Sequence, residues 1–181
     1  TFRLLVEAAQ PDGARVADFE DRAGVLAAVN ANLGKWDLSP VASEIESQTI
    51  RWLADMIGYE RNGGGLMVSG GNMANFLAFV AARTAKAPWD LRAKGNYGDE
   101  RRLTVYVSKE THTWVQKAAD VCGLGAEGIR WIDTDTEGRM CIDSLRIRLA
   151  EDRASGRLPF LVVATAGSVS TGVIDPVRAL A

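Results

Sequence analysis

Apolar residues recur at the period of one helix face from Val16 to Leu33 (Val16, Phe19, Ala23, Leu26, Val29, Leu33), and Gly34 closes the pattern. Ser39-Pro40 then offers a cap and a first-turn proline, and Val41, Ile45, Trp52, Leu53 and Met56 form a second stripe ending at Gly58. Two helices are predicted. Asn62-Gly63-Gly64-Gly65 reads as a turn, Leu66-Met67-Val68 as a short buried strand, and Met73–Lys86 as a helix built on Phe76, Leu77, Val80 and Ala81. Three further units repeat the alternation. Strand Leu103–Val107 precedes helix Thr113–Cys122, strand Ile129–Ile132 precedes helix Ile142–Ala154, and strand Phe160–Ala164 leads into a Gly/Ser/Thr loop. Asp175-Pro176 is expected to cap and begin one more helix. Ala87–Arg102, mixed and glycine-containing, reads as an excursion within the domain.

Apolar strands without polar alternation, each followed by a helix, predict an α/β fold with a mostly parallel sheet and helices on both faces. Ligands of such sheets sit beyond the carboxyl ends of the strands. The loops after Val68, Val107 and Ala164 are therefore where chemistry is expected.

Composition narrows the function. With 181 residues, 47% apolar and 24% charged, the chain fits one domain or a large piece of one, and disordered, collagen-like and coiled-coil classes are excluded. The net charge of −2, with arginines scattered along the chain, gives no basic face, so neither nucleic acid nor an anionic membrane surface is an expected partner. Apolar runs such as Phe160–Ala164 fall far short of the roughly 20 residues a membrane span needs. Cys122 and Cys141 lack CxxC spacing and His112 is the single histidine, so no metal site is expected. The two cysteines read as buried thiols of a reducing, cytoplasmic compartment. A start without Met and an end just as a helix begins lead to the expectation that the sequence is a fragment of a longer protein.

Ser69-Gly70-Gly71-Asn72 joins a strand to a helix, where small residues and the free amides of a helix start suit a phosphate. The same tetrapeptide also serves as a tight turn capped by Asn72. Neither GxGxxG nor a P-loop is present, because Gly70 is followed by Gly71-Asn72 where a P-loop needs Lys and Ser or Thr. His112 follows the second strand, placed either to face the same crevice or to act as an ordinary surface or capping residue. Thr165 to Gly172 is dense in hydroxyls at a third strand end, and reads otherwise as a solvated turn. Three such loops at three strand ends fit one flat, phosphorylated cofactor.

Ser39-Pro40-Val41-Ala42-Ser43-Glu44-Ile45-Glu46, Val68-Ser69-Gly70-Gly71-Asn72-Met73-Ala74-Asn75 and Ala81-Ala82-Arg83 resemble the pyridoxal-phosphate-dependent group II amino-acid decarboxylases. That family holds the aromatic-L-amino-acid, tyrosine, diaminobutyrate and glutamate decarboxylases. Ser108 to His112, Lys117-Ala118, Gly123-Leu124-Gly125, and Val163-Ala164-Thr165-Ala166-Gly167 through Thr171-Gly172 to Asp175-Pro176 continue the resemblance in order. It covers about Gly34 to Ala181, leaving 1–33 as an N-terminal helical segment and 34–181 as the first part of the cofactor-binding large domain.

The resemblance implies the aspartate-aminotransferase type of fold, in incomplete form, and pyridoxal 5'-phosphate as cofactor. The expected reaction is decarboxylation of an L-amino acid to the amine and CO2 by a cytoplasmic homodimer. By the same resemblance Gly70, Gly71 and Asn72 hold the cofactor phosphate, and His112 stacks on the pyridine ring as the catalytic histidine. Ser168 and Val169 stand where relatives commonly have Thr-Thr after the glycine. Val169 cannot donate to the cofactor's phenolic oxygen, which leaves Ser168 to compensate or the contact absent. The family's pyridinium-pairing Asp and Schiff-base lysine would lie beyond Ala181, and none of Lys35, Lys86, Lys94, Lys109 or Lys117 sits in that lysine's motif. Alternatives remain: another cofactor enzyme of this fold, such as a carbon–carbon lyase or cysteine desulfurase, or a non-catalytic α/β binding module.

Overall fold

The computed structural model describes residues 32–59, 63–98 and 101–181, the Tyr97 side chain excepted. The helix expected over Val16–Leu33 and the N-terminal segment 1–33 lie, apart from their last two residues, outside the described residues, as does Asn62 of the glycine turn. The chain divides into two units, one ending at Met67 and the other running from Val68 to Ala181.

In the first unit, a 3-10 turn at Trp36–Leu38 leads to α1, Pro40–Ile57. Its boundaries follow from the chemistry of the two ends. Pro40 takes the first turn, where no amide hydrogen is needed, and Gly58 ends the helix at φ 69°, a left-handed conformation that costs glycine little. The stripe of Val41, Ile45, Trp52, Leu53 and Met56 is helical as expected, yet all five side chains are exposed. Leu66-Met67-Val68 is not the strand expected. No neighbouring strand among the described residues offers it a ladder, and the Met67 N–H donates to the Glu46 carboxylate of α1 at 2.7 Å.

The second unit opens with α2, Gly71–Lys86, then a four-residue helix α3, Leu91–Lys94, and a 3-10 turn, Gly95–Tyr97. Next come β1 (Leu103–Ser108), α4 (Trp114–Val121), β2 (Ile129–Ile132), α5 (Ile142–Ala154), β3 (Leu158–Val163) and the short α6 (Val177–Leu180). The three strands form a parallel sheet in the order β2-β1-β3, with Val105 beside Ile129 on one side and Leu161 on the other.

Alternation along β1 divides the core in two. Leu103, Val105 and Val107 face α2 and α4, packing with Phe79, Trp114, Val115, Ala118 and Ala119. Tyr106 faces the other way, with Ile132, Met140 and Leu145 of α5. Right-handed crossovers explain the split, because β1 to β2 and β2 to β3 run in opposite directions across the sheet and so place α4 and α5 on opposite faces. Both faces are covered, as strands without polar alternation predict.

One irregularity matters for packing. The register jumps between Thr104, beside Pro159, and Val105, beside Leu161, so Phe160 is an extra residue. The bulge turns Phe160 into the same core as Leu161, where its ring meets Phe79 edge-on at 5.2 Å. Pro159, which has no N–H to give a ladder, sits where the ladder is already broken.

On the α5 side, the Tyr106 hydroxyl donates to the Asp152 carboxylate at 2.7 Å, and Arg130 Nε reaches both oxygens of that carboxylate, at 2.7 and 3.1 Å. Burial pushes the Tyr106 hydroxyl up, from 10.0 to about 12; the Thr104 hydroxyl opposes the rise and Asp152 adds to it. Burial also pushes Asp152 upward, but the hydrogen bonds from Arg130 and Tyr106 outweigh it and hold the carboxyl below its ordinary value. On the other side Arg83, near the end of α2, donates to the Cys122 carbonyl at 2.8 Å and to the Asn96 side chain at 3.0 Å, tying α2 to the end of α4. Cys122 and Cys141 are free and half-buried, short of the full burial expected. Burial lifts the Cys122 thiol, whereas hydrogen bonds from Ser144 lower that of Cys141.

Candidate functional site

Gly70 is the N-cap of α2 at φ 141° and ψ 166°, a region essentially closed to residues with a Cβ. The sequence folds this way because a side chain there would force the chain out of its entry to the helix. No side chain caps α2; Asn72 does not take the capping role that its position after the two glycines allowed. The first helical bond runs from Ala74 N–H to the Gly70 carbonyl at 3.1 Å, leaving the amides of Gly71, Asn72 and Met73 without a carbonyl of their own helix.

His112 is held by the turn that ends β1. The Ser108 N–H donates to the Thr111 hydroxyl at 3.1 Å, and the Thr111 N–H to the Ser108 carbonyl at 3.0 Å. His112 Nδ1 then accepts the Trp114 N–H, the first amide of α4, at 3.2 Å. The capping and crevice-facing placements considered for this histidine are compatible: Nδ1 accepts from the start of α4, and the residue also lines the groove described below.

The third loop begins after β3. Ser168 is buried and its hydroxyl is shared with Thr171, whose N–H also donates to it at 3.2 Å. Val169, next along, is 93% exposed. Asp175 does not cap α6, whose N-cap position is Pro176. Its buried carboxylate instead accepts the Met140 N–H on one oxygen and the Thr165 N–H on the other, each at 2.7 Å.

These loops meet in one open groove of about 660 Å³, lined by Ser69 to Met73 and Asn75 from the start of α2, by His112 and by Val169. Of the residues singled out in the sequence, Gly70, Gly71, Asn72, His112 and Val169 line it and Ser168 does not. Sequence reasoning missed Asn75 and Met73 as lining residues, although both lie within one turn of the glycines, and missed Thr111 and Asp175 as supports. The hydroxyl three residues after Ser108 was the available signal for Thr111. A smaller cavity of about 340 Å³ lies at the opposite, amino end of the strands, among Arg102, Gly128 and Arg157. Among the described residues, no group of His, Cys, Asp or Glu is placed to hold a metal ion, and no helix is long and apolar enough to cross a membrane.

The description "Pyridoxal-dependent decarboxylase conserved domain" matches residues 23–181. The chain belongs to the pyridoxal-dependent decarboxylase family. Among family members, the aromatic-L-amino-acid decarboxylase of Bacillus atrophaeus is 37% identical over 146 residues, covering 81% of this chain and 28% of that protein. The human acidic amino acid decarboxylase GADL1 is 32% identical over 154 residues, 85% of this chain and 29% of that one. The structure of mouse CSAD in apo form superposes with a TM-score of 0.81 at 30% identity, covering 91% of this chain and 34% of that chain. The chain thus spans about three tenths of the length of these curated family members, and its α/β architecture is shared with the family's solved structures.

Proposed function

We propose that this chain supplies the phosphate- and ring-binding part of the active site of a pyridoxal-5'-phosphate-dependent L-amino-acid decarboxylase, which releases the amine and CO2. The observation that carries the reading is the meeting of an uncapped helix start, an imidazole and an apolar side chain in one groove at the carboxyl ends of β1 and β3. The donor set fits the group. Main-chain amides at a helix start suit a phosphate, and a Cβ added at Gly70 or Gly71 would meet nothing within 4 Å, so the backbone there is open to a ligand. The family match supports the same cofactor.

Pyridoxal phosphate, when bound, supplies the electron sink that accepts the pair released as the Cα–carboxylate bond breaks. The chain's own groups do the rest of what is proposed here. Amides of Gly71, Asn72 and Met73, with the Asn72 side chain, would bind phosphate; the His112 ring would give a flat face to stack on, with Nε2 as its second polar atom. Val169 offers no hydrogen bond, and Ser168, turned onto Thr171, does not supply one in its place. The proposed assembly is a cytoplasmic homodimer, supported by the exposed apolar stripe of α1 for the dimer and by the free thiols for the compartment. The relatives named above act on aromatic and on acidic amino acids, so the substrate is stated as an L-amino acid.

Gly71→Ala separates binding from folding. Gly71 is the first residue of α2 and its φ is not in the left-handed region, so Ala is accommodated there, and its methyl meets nothing in the protein. The variant is expected to melt no lower than the parent while binding pyridoxal phosphate at least several-fold more weakly by fluorescence titration. Unchanged affinity would remove the glycine loop from the phosphate site.

A further inference from the structure

We propose that Asp175 is a positioning residue for the groove: its carboxylate locks the base of the Thr165–Asp175 loop and so holds Val169 as a fixed apolar part of the groove wall. The inference rests on the groove being the cofactor site, and adds to it a residue outside the groove that shapes it.

Asp175 is 3% exposed, and its carboxylate is bonded to main-chain amides. One amide, of Thr165, begins the loop. The other belongs to Met140, which is itself buried in the core with Tyr106, Ile132 and Leu145, so the carboxylate fastens the loop to the packed core. The Asp175 N–H closes the base by donating to the Thr165 carbonyl at 2.8 Å, and Ala166 and Ile174 pair as an isolated bridge. Above them the Val173 carbonyl accepts from both Gly167 and Ser168, and the Ser168 carbonyl from Gly172. Val169 projects from this bonded frame and is the only residue of the loop that lines the groove. A branched apolar side chain gains nothing from rigid display to water. Held still against a ligand it contributes packing at little ordering cost, which is the use the geometry assigns to it.

The test uses Asp175→Asn in the full chain. An amide keeps the shape but turns an N–H toward one of the two main-chain donors, so one bond to a charged acceptor is lost and the other weakened. The expected result is roughly tenfold weaker binding of pyridoxal phosphate by fluorescence titration. Amide hydrogen exchange should accelerate at Gly167 and Ser168, with Val105 and Val107 of β1 unchanged. In a Val169→Ala background Asp175→Asn should weaken binding no further, because it acts through that side chain. Asp152→Asn, which disturbs a buried carboxylate away from the groove, should leave binding unchanged. Should Asp175→Asn not fold, Ser168→Ala loosens the same loop from within and is expected to shift affinity and exchange in the same direction.

Parental affinity in Asp175→Asn despite faster loop exchange overturns the proposal, as does full additivity with Val169→Ala or an equal loss in Asp152→Asn. Absence of binding by the parent is a different result: it overturns the groove reading and removes the basis of this one.

Discussion

His112 uses its two nitrogens separately, and substitution can divide them. Nδ1 receives the Trp114 N–H and belongs to the local structure of α4; Nε2 has no part in that bond. His112→Phe keeps a flat ring, and with it the stacking contribution of about 0.5–1.5 kcal/mol, but loses both nitrogens. On the proposed function, the full-length protein carrying this change is expected to bind pyridoxal phosphate within a few-fold of the parent while releasing CO2 far more slowly. His112→Ala should weaken both. A His112→Phe enzyme with parental turnover would reduce the imidazole to a stacking surface. Loss of the bond to Trp114 affects both variants equally, so their difference reports on the ring.

At the level of elements, the sheet carries a pH dependence of its own through Tyr106 on β1, Arg130 on β2 and Asp152 on α5. Asp152 has a lowered folded-state pKa, so its contribution is present above the ordinary carboxyl value and drains away as pH falls through the folded one. Tyr106 is raised to about 12, so its contribution is present below its ordinary value of 10.0 and is lost as pH climbs from there to about 12. Melting temperature against pH should therefore fall at both ends, and Tyr106→Phe should lessen the alkaline fall, leaving the share of the raised Cys122 thiol, at a cost of about 1 kcal/mol. Asp152→Ala leaves Arg130 buried without its carboxylate and should cost about 3–5 kcal/mol. This network was not legible in the sequence, because nothing local announces that residues 106, 130 and 152 share one sheet face. What was legible had a local cause: the ends of α1 at Pro40 and Gly58, the span of β2, and α5 from Ile142 to Ala154. Leu66-Met67-Val68 misled because an apolar run states only that a segment suits a ladder, and pairing depends on a neighbour. Asp175 misled because an acid before proline satisfies the capping pattern equally well when its carboxylate is engaged elsewhere. The groove was legible through its glycines and histidine, and Ser168 was not, since a hydroxyl's direction is set by its closest partner.

Considered whole, the molecule brings no lysine to the groove among the described residues. Lys35 and Lys109 are paired with Asp37 and Asp133, at 2.8 and 2.9 Å. Treatment of the 181-residue chain with pyridoxal phosphate and borohydride should therefore give no stoichiometric adduct at a single lysine, read by intact mass and peptide mapping. One fully labelled lysine would mean that a groove amine has been overlooked. The strand order carries a further consequence. β3 joins β1 only after α4, β2 and α5 have been laid down between them, so Val169 reaches the groove at the close of a long sequence excursion, whereas the glycine loop and His112 come from earlier in the chain. Pairings of such sequence separation form late in folding, and a ligand that needs all three loops recognises only the finished sheet. A ligand bound by all three loops, as proposed, would stabilise only the chain in which β3 is paired, and would draw that state further toward the native one.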